Sequence, residues 1–151
     1  MNTLAGRYIC FTLGKDQYAI PLLQVKEVIG MVATTPIPQA PSHFIGIMNL
    51  RGQVISVLNL SNKLKLNRTA EKKDTTIIIL EFANSSFGVA VNSVDSVITY
   101  TEEEISLQSE FEVKAQPGIL GVAKKDKTLT LLLDLKEVLN LGHVEDIPVA
   151  A

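Results

Sequence analysis

A chain of 151 residues, 46% of them hydrophobic, carries enough apolar side chain for one domain or two intimate half-domains. Its formal net charge of -2 supplies no broad basic surface to neutralise phosphates, so general nucleic-acid binding is disfavoured and protein partners are expected. The opening MNTLAGRYICFTLG has neither the basic-then-apolar layout of a secretion signal nor an apolar run of about 18 residues, which makes the cytoplasm the expected address.

In chain order the first signals are strands. Arg7 to Leu13 and Gln17 to Ile20 flank Gly14-Lys15-Asp16, a short glycine-containing connection that fits a hairpin. Cys10, the single cysteine, alternates with Ile9 and Phe11 and reads as a small core hydrophobe, since one thiol cannot close an intramolecular disulfide. Val25 to Met31 predict a third strand. After the proline-rich loop Thr35 to Pro41, Ile45 to Leu50 and Val54 to Leu58 flank the tight turn Arg51-Gly52-Gln53. Asn59 then stands as an N-cap before a short helix over Leu60 to Leu64. Residues 67–74 are polar apart from Ala70 and predict a surface linker. Beyond it, Thr75 to Phe82, Phe87 to Val91, Val94 to Tyr100, Ile119 to Ala123 and Thr128 to Leu133 predict further strands. Thr101 to Glu104 forms a capping box, which makes its acidic run a solvated first turn. Asp134 caps a last helix over Leu135 to Leu139, with Glu137 as its acidic box partner and Gly142 beyond.

An internal repeat organises these elements. FTLGKDQYAIPLLQVKEVI at 11–29 lies over LEFANSSFGVAVNSVDSVI at 80–98, an offset of 69. Leu13 matches Phe82, Tyr18 matches Phe87, Ile20 matches Val89 and Val28 matches Val97. Downstream, Gly46-Ile47-Met48 lies over Gly118-Ile119-Leu120 at an offset of 72, and Val54, Ser56 and Leu58 lie over Leu129, Leu131 and Leu133 at 75. That growth places an insertion in the turn near Lys124 to Lys127 and sets Leu131 on a core-facing position. Two copies are too few for a solenoid, which needs about three stacked units. The expectation is a single domain over 1–151 made of subdomains at about 7–66 and 75–141, joined by the linker 67–74. Short antiparallel strands close most readily into small barrels, because closure removes exposed edges. The expected fold class is therefore all-β, two intertwined five-stranded barrels of SH3-like or OB-like size with short capping helices.

Chemistry is thinly supplied. His43 and His143 are distant in sequence, one cysteine adds nothing to them, and no spacing resembles a metal site. GxSxG, Walker, GxGxxG and HExxH motifs are all absent. Asp16, Glu27, Glu81, Asp95 and Asp134 fall at strand ends, turns or caps, where solvated roles are ordinary. An enzyme is the weaker class, and no cofactor is expected. Aromatic residues are 5% with no tryptophan, and Phe11, Tyr18, Phe82 and Phe87 occupy repeat-matched strands, so they read as core and not as a base-stacking platform. Residues needed only for folding should agree between the copies, and partner-specific ones should differ. By that test Asn49 and Arg51, standing over Gly121 and Ala123, are the sharpest differences, and Glu27 stands over Ser96. Arg51 fits two roles that do not exclude each other: contact with a partner's carboxylate or carbonyls, or an internal ion pair to Glu27 or Asp95 that braces the fold.

Residues 7–139 resemble the CheW family of chemotaxis coupling proteins, through FTLGKDQYAIPLLQVKEVI, the loop and hairpin TPIPQAPSHFIGIMNLRGQVISVLNL, IIILEFANSSFGVAVNSVDSVI, and GILGV with LLLDLKEVL. The resemblance implies two five-stranded barrels about a shared apolar interface. It implies a non-catalytic adaptor joining the cytoplasmic hairpin tip of chemoreceptors to the regulatory domain of the histidine kinase CheA, in rings beneath receptor arrays and touching the membrane only through the receptors. Carried over residue by residue, receptor contact falls on Val25, Glu27, Val28, Asn49, Leu50 and Arg51, with Gly46 and Gly52 shaping the strand. Kinase contacts would use apolar strand ends that the resemblance does not specify. Asn59 departs from the family, which commonly has Asp before this helix. A receiver domain of the related CheV type is not expected. A pilus-linked or other chemosensory-like pathway would look the same, and a nucleic-acid-binding barrel is the alternative from a different class.

Overall fold

A computed structural model describes residues 4–64, 73–82, 85–107 and 118–139. Residues 67–72 of the linker, Gly142 and His143 lie outside them. The first half forms β1 (Gly6–Leu13), β2 (Asp16–Pro21), β3 (Val25–Gly30), β4 (Phe44–Leu50), β5 (Gln53–Asn59) and α1 (Leu60–Lys63). The second forms β6 (Thr76–Phe82), β7 (Ser85–Val91), β8 (Ser93–Tyr100), β9 (Ile105–Leu107), β10 (Ile119–Lys125), β11 (Thr128–Leu133) and α2 (Leu135–Val138). Every strand expected from the pattern forms, and β9 is additional. The Thr101 capping box is present, with the Glu104 carboxylate accepting from the Thr101 amide at 2.9 Å, but it caps one 3₁₀ turn before β9 begins. Asn59 accepts from the Asn62 amide at 2.9 Å, and Asp134 accepts from the Lys136 amide at 3.1 Å. The Asp134 cap forms without the reciprocal bond expected from Glu137.

The strands lie in two sheets, ordered β8-β1-β2-β11-β10-β9 and β3-β6-β7-β5-β4. The fold is all-β as expected, but neither barrel is closed by backbone hydrogen bonds, because the end strands of each sheet do not pair. Each sheet also draws on both halves of the chain. Hairpin β1-β2 is inserted between β8 and β11, and hairpin β6-β7 between β3 and β5. The sequence repeats are therefore not the sheets; the two halves are intertwined by exchanged hairpins.

Strand registers carry the repeat to single-residue detail and correct it in one place. In the first block β3 pairs Val25 with Leu80 and Glu27 with Ile79, while β8 pairs Val94 with Phe11 and Ser96 with Cys10, so even the bulges at Lys26 and Asp95 coincide at an offset of 69. Downstream, β4 pairs Phe44 with Leu58 and Gly46 with Val57, whereas β10 pairs Ile119 with Leu133 and Gly121 with Leu132. The counterpart of Gly46 is Gly121, an offset of 75, not Gly118 at 72. A Cβ on Gly46 would strike the Thr35 carbonyl, and one on Gly121 the Ser106 carbonyl, so both glycines admit the same close approach of a neighbouring backbone. The offset is already 75 through β10 and β11, so the six extra residues (75 minus 69) lie between β8 and β10 and not in the turn near Lys124 to Lys127. In the corrected register Asn49 stands over Lys124 and Arg51 over Asp126, so the contrast with Gly121 and Ala123 does not hold.

Burial follows from the exchange. In β1, Ile9, Phe11 and Leu13 face a large shared cluster while Tyr8 and Cys10 face a smaller one. β11 divides likewise, with Leu133 in the large cluster and Leu132 in the small one. Leu131 packs against the margin of the large cluster and is only partly buried, so the fuller core position is its neighbour Leu132. Leu132→Ala should lower stability by roughly 2–5 kcal/mol, measured by urea unfolding, and by more than Leu131→Ala. Equal small losses at the two positions would show that β11 is not seated between two cores. The β10-β11 turn puts Asp126 and Lys127 in left-handed backbone at φ 51 and 68, where the β4-β5 turn has Arg51 and Gly52 at 53 and 85. Glycine at 127 relieves a lysine held in that region, so Lys127→Gly should raise stability by roughly 0.5–1 kcal/mol; a lower urea midpoint contradicts this.

Candidate functional site

The end strands β3 and β4 leave an open seam, and side chains bridge it. Arg51 extends from the β4-β5 turn onto Glu27 of β3, with two parallel bonds, Nη1 to Oε1 at 2.8 Å and Nη2 to Oε2 at 3.0 Å. The turn holds Arg51 in left-handed backbone, and the Asn49 side-chain oxygen secures that turn by accepting from the Gly52 amide at 2.8 Å. Hydrogen bonds from the guanidinium, reinforced by its charge, hold the Glu27 carboxyl below its usual range. A carboxyl depressed in the folded state stabilises above its unfolded pKa and loses that contribution as pH falls through the folded one, so the pair is intact throughout the neutral range. Arg51 stays largely exposed, and only two of the roughly five N–H donors of a guanidinium go to Glu27, which leaves the rest for a partner.

The other expected contact residues divide by geometry. Gly46 lies beneath Thr35, whose amide and carbonyl pair with Ile47 at 2.8 Å each way, so the proline loop covers the free edge of β4. Val25 and Leu50 pack against the large core cluster. Val28, on the other side of the β3 bulge, is 39% exposed. The seam thus gathers Glu27, Arg51 and the turn formed by Asn49 and Gly52, with Val28 on the outer face of β3, whereas Val25 contributes to packing.

Pattern reading passed over Leu23, which is 100% exposed in the 3₁₀ turn Leu22–Gln24 between β2 and β3, and Val54, 45% exposed at the start of β5. Exposure recurs at the counterparts of these valines, Leu129 for Val54 at 62% and Val97 for Val28, which only the structure shows. The second sheet has a corresponding seam with different chemistry. Ser96 replaces Glu27 and Asp126 replaces Arg51, so the bidentate guanidinium–carboxylate pair has no counterpart there among the described residues. Lys125 crosses instead, donating to the Thr99 carbonyl at 3.0 Å and standing 3.8 Å from the Glu104 carboxylate.

Neither seam is built for bond chemistry. The open cleft beside the second seam is lined by Gln17, Thr99, Tyr100, Lys125, Asp126 and Thr128. Burial pushes the Tyr100 hydroxyl up to about 12, so it does not exchange protons near neutrality. Cys10 is fully buried, and burial raises its thiol pKa, which keeps it protonated. Among the described residues no group of His, Cys, Asp and Glu could hold a metal ion.

A model of the CheW-like domain matches residues 7–142. Chemotaxis protein CheW of Treponema pallidum is 30% identical over 152 aligned residues, covering 96% of this chain and 88% of its own length. Chemotaxis protein CheW of Klebsiella aerogenes is 29% identical over 140, covering 92% and 84%. The crystal structure of the scaffolding protein TtCheW from Thermoanaerobacter tengcongensis superposes with a TM-score of 0.79 at 28% identity, over 90% of this chain and 93% of that one. The chain belongs to the CheW-like domain family and is a scaffold, not an enzyme.

Proposed function

We propose that this scaffold couples chemoreceptors to a CheA-type histidine kinase, with the β3-β4 seam as its receptor contact. The observation that carries the reading is the Arg51–Glu27 pair, a directional cation held at an open sheet end with donors to spare. A receptor hairpin tip is a helical coiled coil, whose apolar ridge suits exposed Val28 and whose polar side chains or helix-end carbonyls suit the guanidinium. Glu27 orients Arg51, Asn49 and Gly52 set the turn from which it projects, Gly46 lets the proline loop close over β4, and Val25 and Leu50 support the strands from beneath. The kinase regulatory domain, itself CheW-like, meets apolar strand ends elsewhere on the sheets. Among the described residues no helix is long and apolar enough to cross a membrane, and the proposed place of action is the receptor array on its cytoplasmic side. Transmission then consists of changes in how receptor and kinase sit against a largely rigid link.

Calorimetric titration into the isolated regulatory domain of a CheA-type kinase from the same cell tests the adaptor reading; saturable one-to-one binding is expected, and none with folded protein argues against it. Arg51→Glu should weaken binding of a receptor tip by about tenfold or more, equivalent to about 1.4 kcal/mol, while thermal unfolding changes little because solvent screens an exposed ion pair. The reversed pair, Glu27→Arg with Arg51→Glu, separates the two roles of Arg51. If the guanidinium meets the receptor directly, binding stays weak in the reversed pair; restored binding would assign Arg51 to bracing alone.

A further inference from the structure

We propose that two copies of this chain can exchange halves, giving an intertwined dimer in which residues up to Leu64 of each copy complete their sheets with residues from Lys73 onward of the other. The partner is a second copy of this chain, and the interaction surface is the set of strand ladders that already joins the halves. Each sheet has two such ladders, β1-β8 and β2-β11 in one, β3-β6 and β5-β7 in the other. In an exchanged dimer all of them form between copies with unchanged registers. The same holds for the large core cluster, where Phe11, Leu13 and Leu58 from the first half meet Ile78, Val89 and Leu133 from the second.

Polar fastening also survives the exchange. Gly14 donates to the Asn92 side-chain oxygen at 2.6 Å, the Asn92 amide donates to Asp74 at 3.0 Å, and the Asn59 amide approaches Asp74 at 3.4 Å. Gly14 and Asn59 belong to the first half, Asp74 and Asn92 to the second. Among the described residues, nothing that joins the halves depends on their being one molecule.

The connection alone distinguishes the forms. Eight residues, 65–72, run from Leu64 to Lys73. A tether of that length between the halves corresponds to an effective concentration in the millimolar range, so the monomer dominates at micromolar protein. Near millimolar protein, or with a connection too short to close, exchange competes at almost no cost in contacts. The exchanged dimer carries two Arg51 seams and two Lys125 seams on one particle, which makes it bivalent for anything either seam binds.

Thr12 and Ser93 face each other across the β1-β8 ladder, one in each half. Thr12→Cys with Ser93→Cys, in a Cys10→Ala background, turns that ladder into a covalent record of which copy supplied which half. The full-length chain, refolded from denaturant and oxidised, should run on a non-reducing gel as a covalent monomer at about 10 µM and show a substantial dimer band near 1 mM, in line with the millimolar effective concentration. Deleting residues 67–72 should shift the chain to dimer at micromolar concentration, with twice the shortened chain's own mass by light scattering and an unchanged far-ultraviolet spectrum. Intramolecular disulfide alone at every concentration of the full-length chain overturns the proposal, whether or not the deletion variant folds.

Discussion

The exchange of hairpins is the constraint from which the rest of the molecule follows. With β1-β2 seated between β8 and β11, and β6-β7 between β3 and β5, neither half owns a complete sheet. The larger cluster is filled from both halves, so it is a single core and not an interface between finished domains. Such a chain is expected to unfold as one unit, because separating the halves strips strands out of the middle of both sheets. It also decides where function can sit. Among the described residues, strands in the middle of each sheet have a neighbour on both sides, and the end strands, β3 with β4 and β8 with β9, have one side that no strand of the sheet covers. Long side chains, the proline loop and the tips of hairpins manage those edges, and they are the parts free to meet a partner.

The two seams show how one architecture carries two chemistries. Backbone geometry is repeated closely, including the bulges at Lys26 and Asp95 and the left-handed turns at Arg51-Gly52 and Asp126-Lys127. Exposed apolar residues recur as well, Val28 with Val97 and Val54 with Leu129. What differs is charge. The first seam places a bidentate guanidinium–carboxylate pair across its opening, and the second a lysine tied to a backbone carbonyl. Arginine is suited to the first task because its planar fork matches a carboxylate and still presents donors outward, whereas a lysine ammonium acts as a point charge. A scaffold with equivalent strand ends and unlike rims can receive different partners without confusing them.

Much of this is legible in the sequence alone. Alternation placed the longer strands, capping residues placed both short helices, and the repeat over 11–29 and 80–98 was read in its true register because long apolar runs with matched spacing admit no other. The downstream block is ambiguous in sequence because GILGV holds two glycines three residues apart, and Gly118-Ile119-Leu120 mimics Gly46-Ile47-Met48 locally. Only the pairing of β10 with β11 shows that Gly121 is the one lying against a neighbouring carbonyl. Strand β9 escaped notice because Ile105–Leu107 is too short to show a period, and its counterpart in the first half is the single bridge at Thr35. Which strand neighbours which is a long-range fact that alternation does not encode. The Arg51–Glu27 pair was one of two roles the residue types allowed, while the part Asn49 plays in the turn depends on backbone geometry that composition does not reveal.

Asn59 illustrates how a local departure is answered nearby. The N-cap role needs only a side-chain oxygen, which Asn59 supplies to the Asn62 amide as well as an aspartate would. Its other end faces Asp74, an acceptor, at 3.4 Å, and an amide donates there where a carboxylate would repel. At the corresponding cap Asp134 faces the amide of Gln24, a donor, and the carboxylate is the better complement. Each cap thus matches the group opposite it, and Asp74 is that group in the first half because it also receives the Asn92 amide, whose oxygen in turn takes the Gly14 amide. Replacing the usual cap carboxylate therefore costs no ionic function at this position. It lets one acidic side chain, at the point where the second half begins, tie the cap of α1 to the hairpin that the halves exchange.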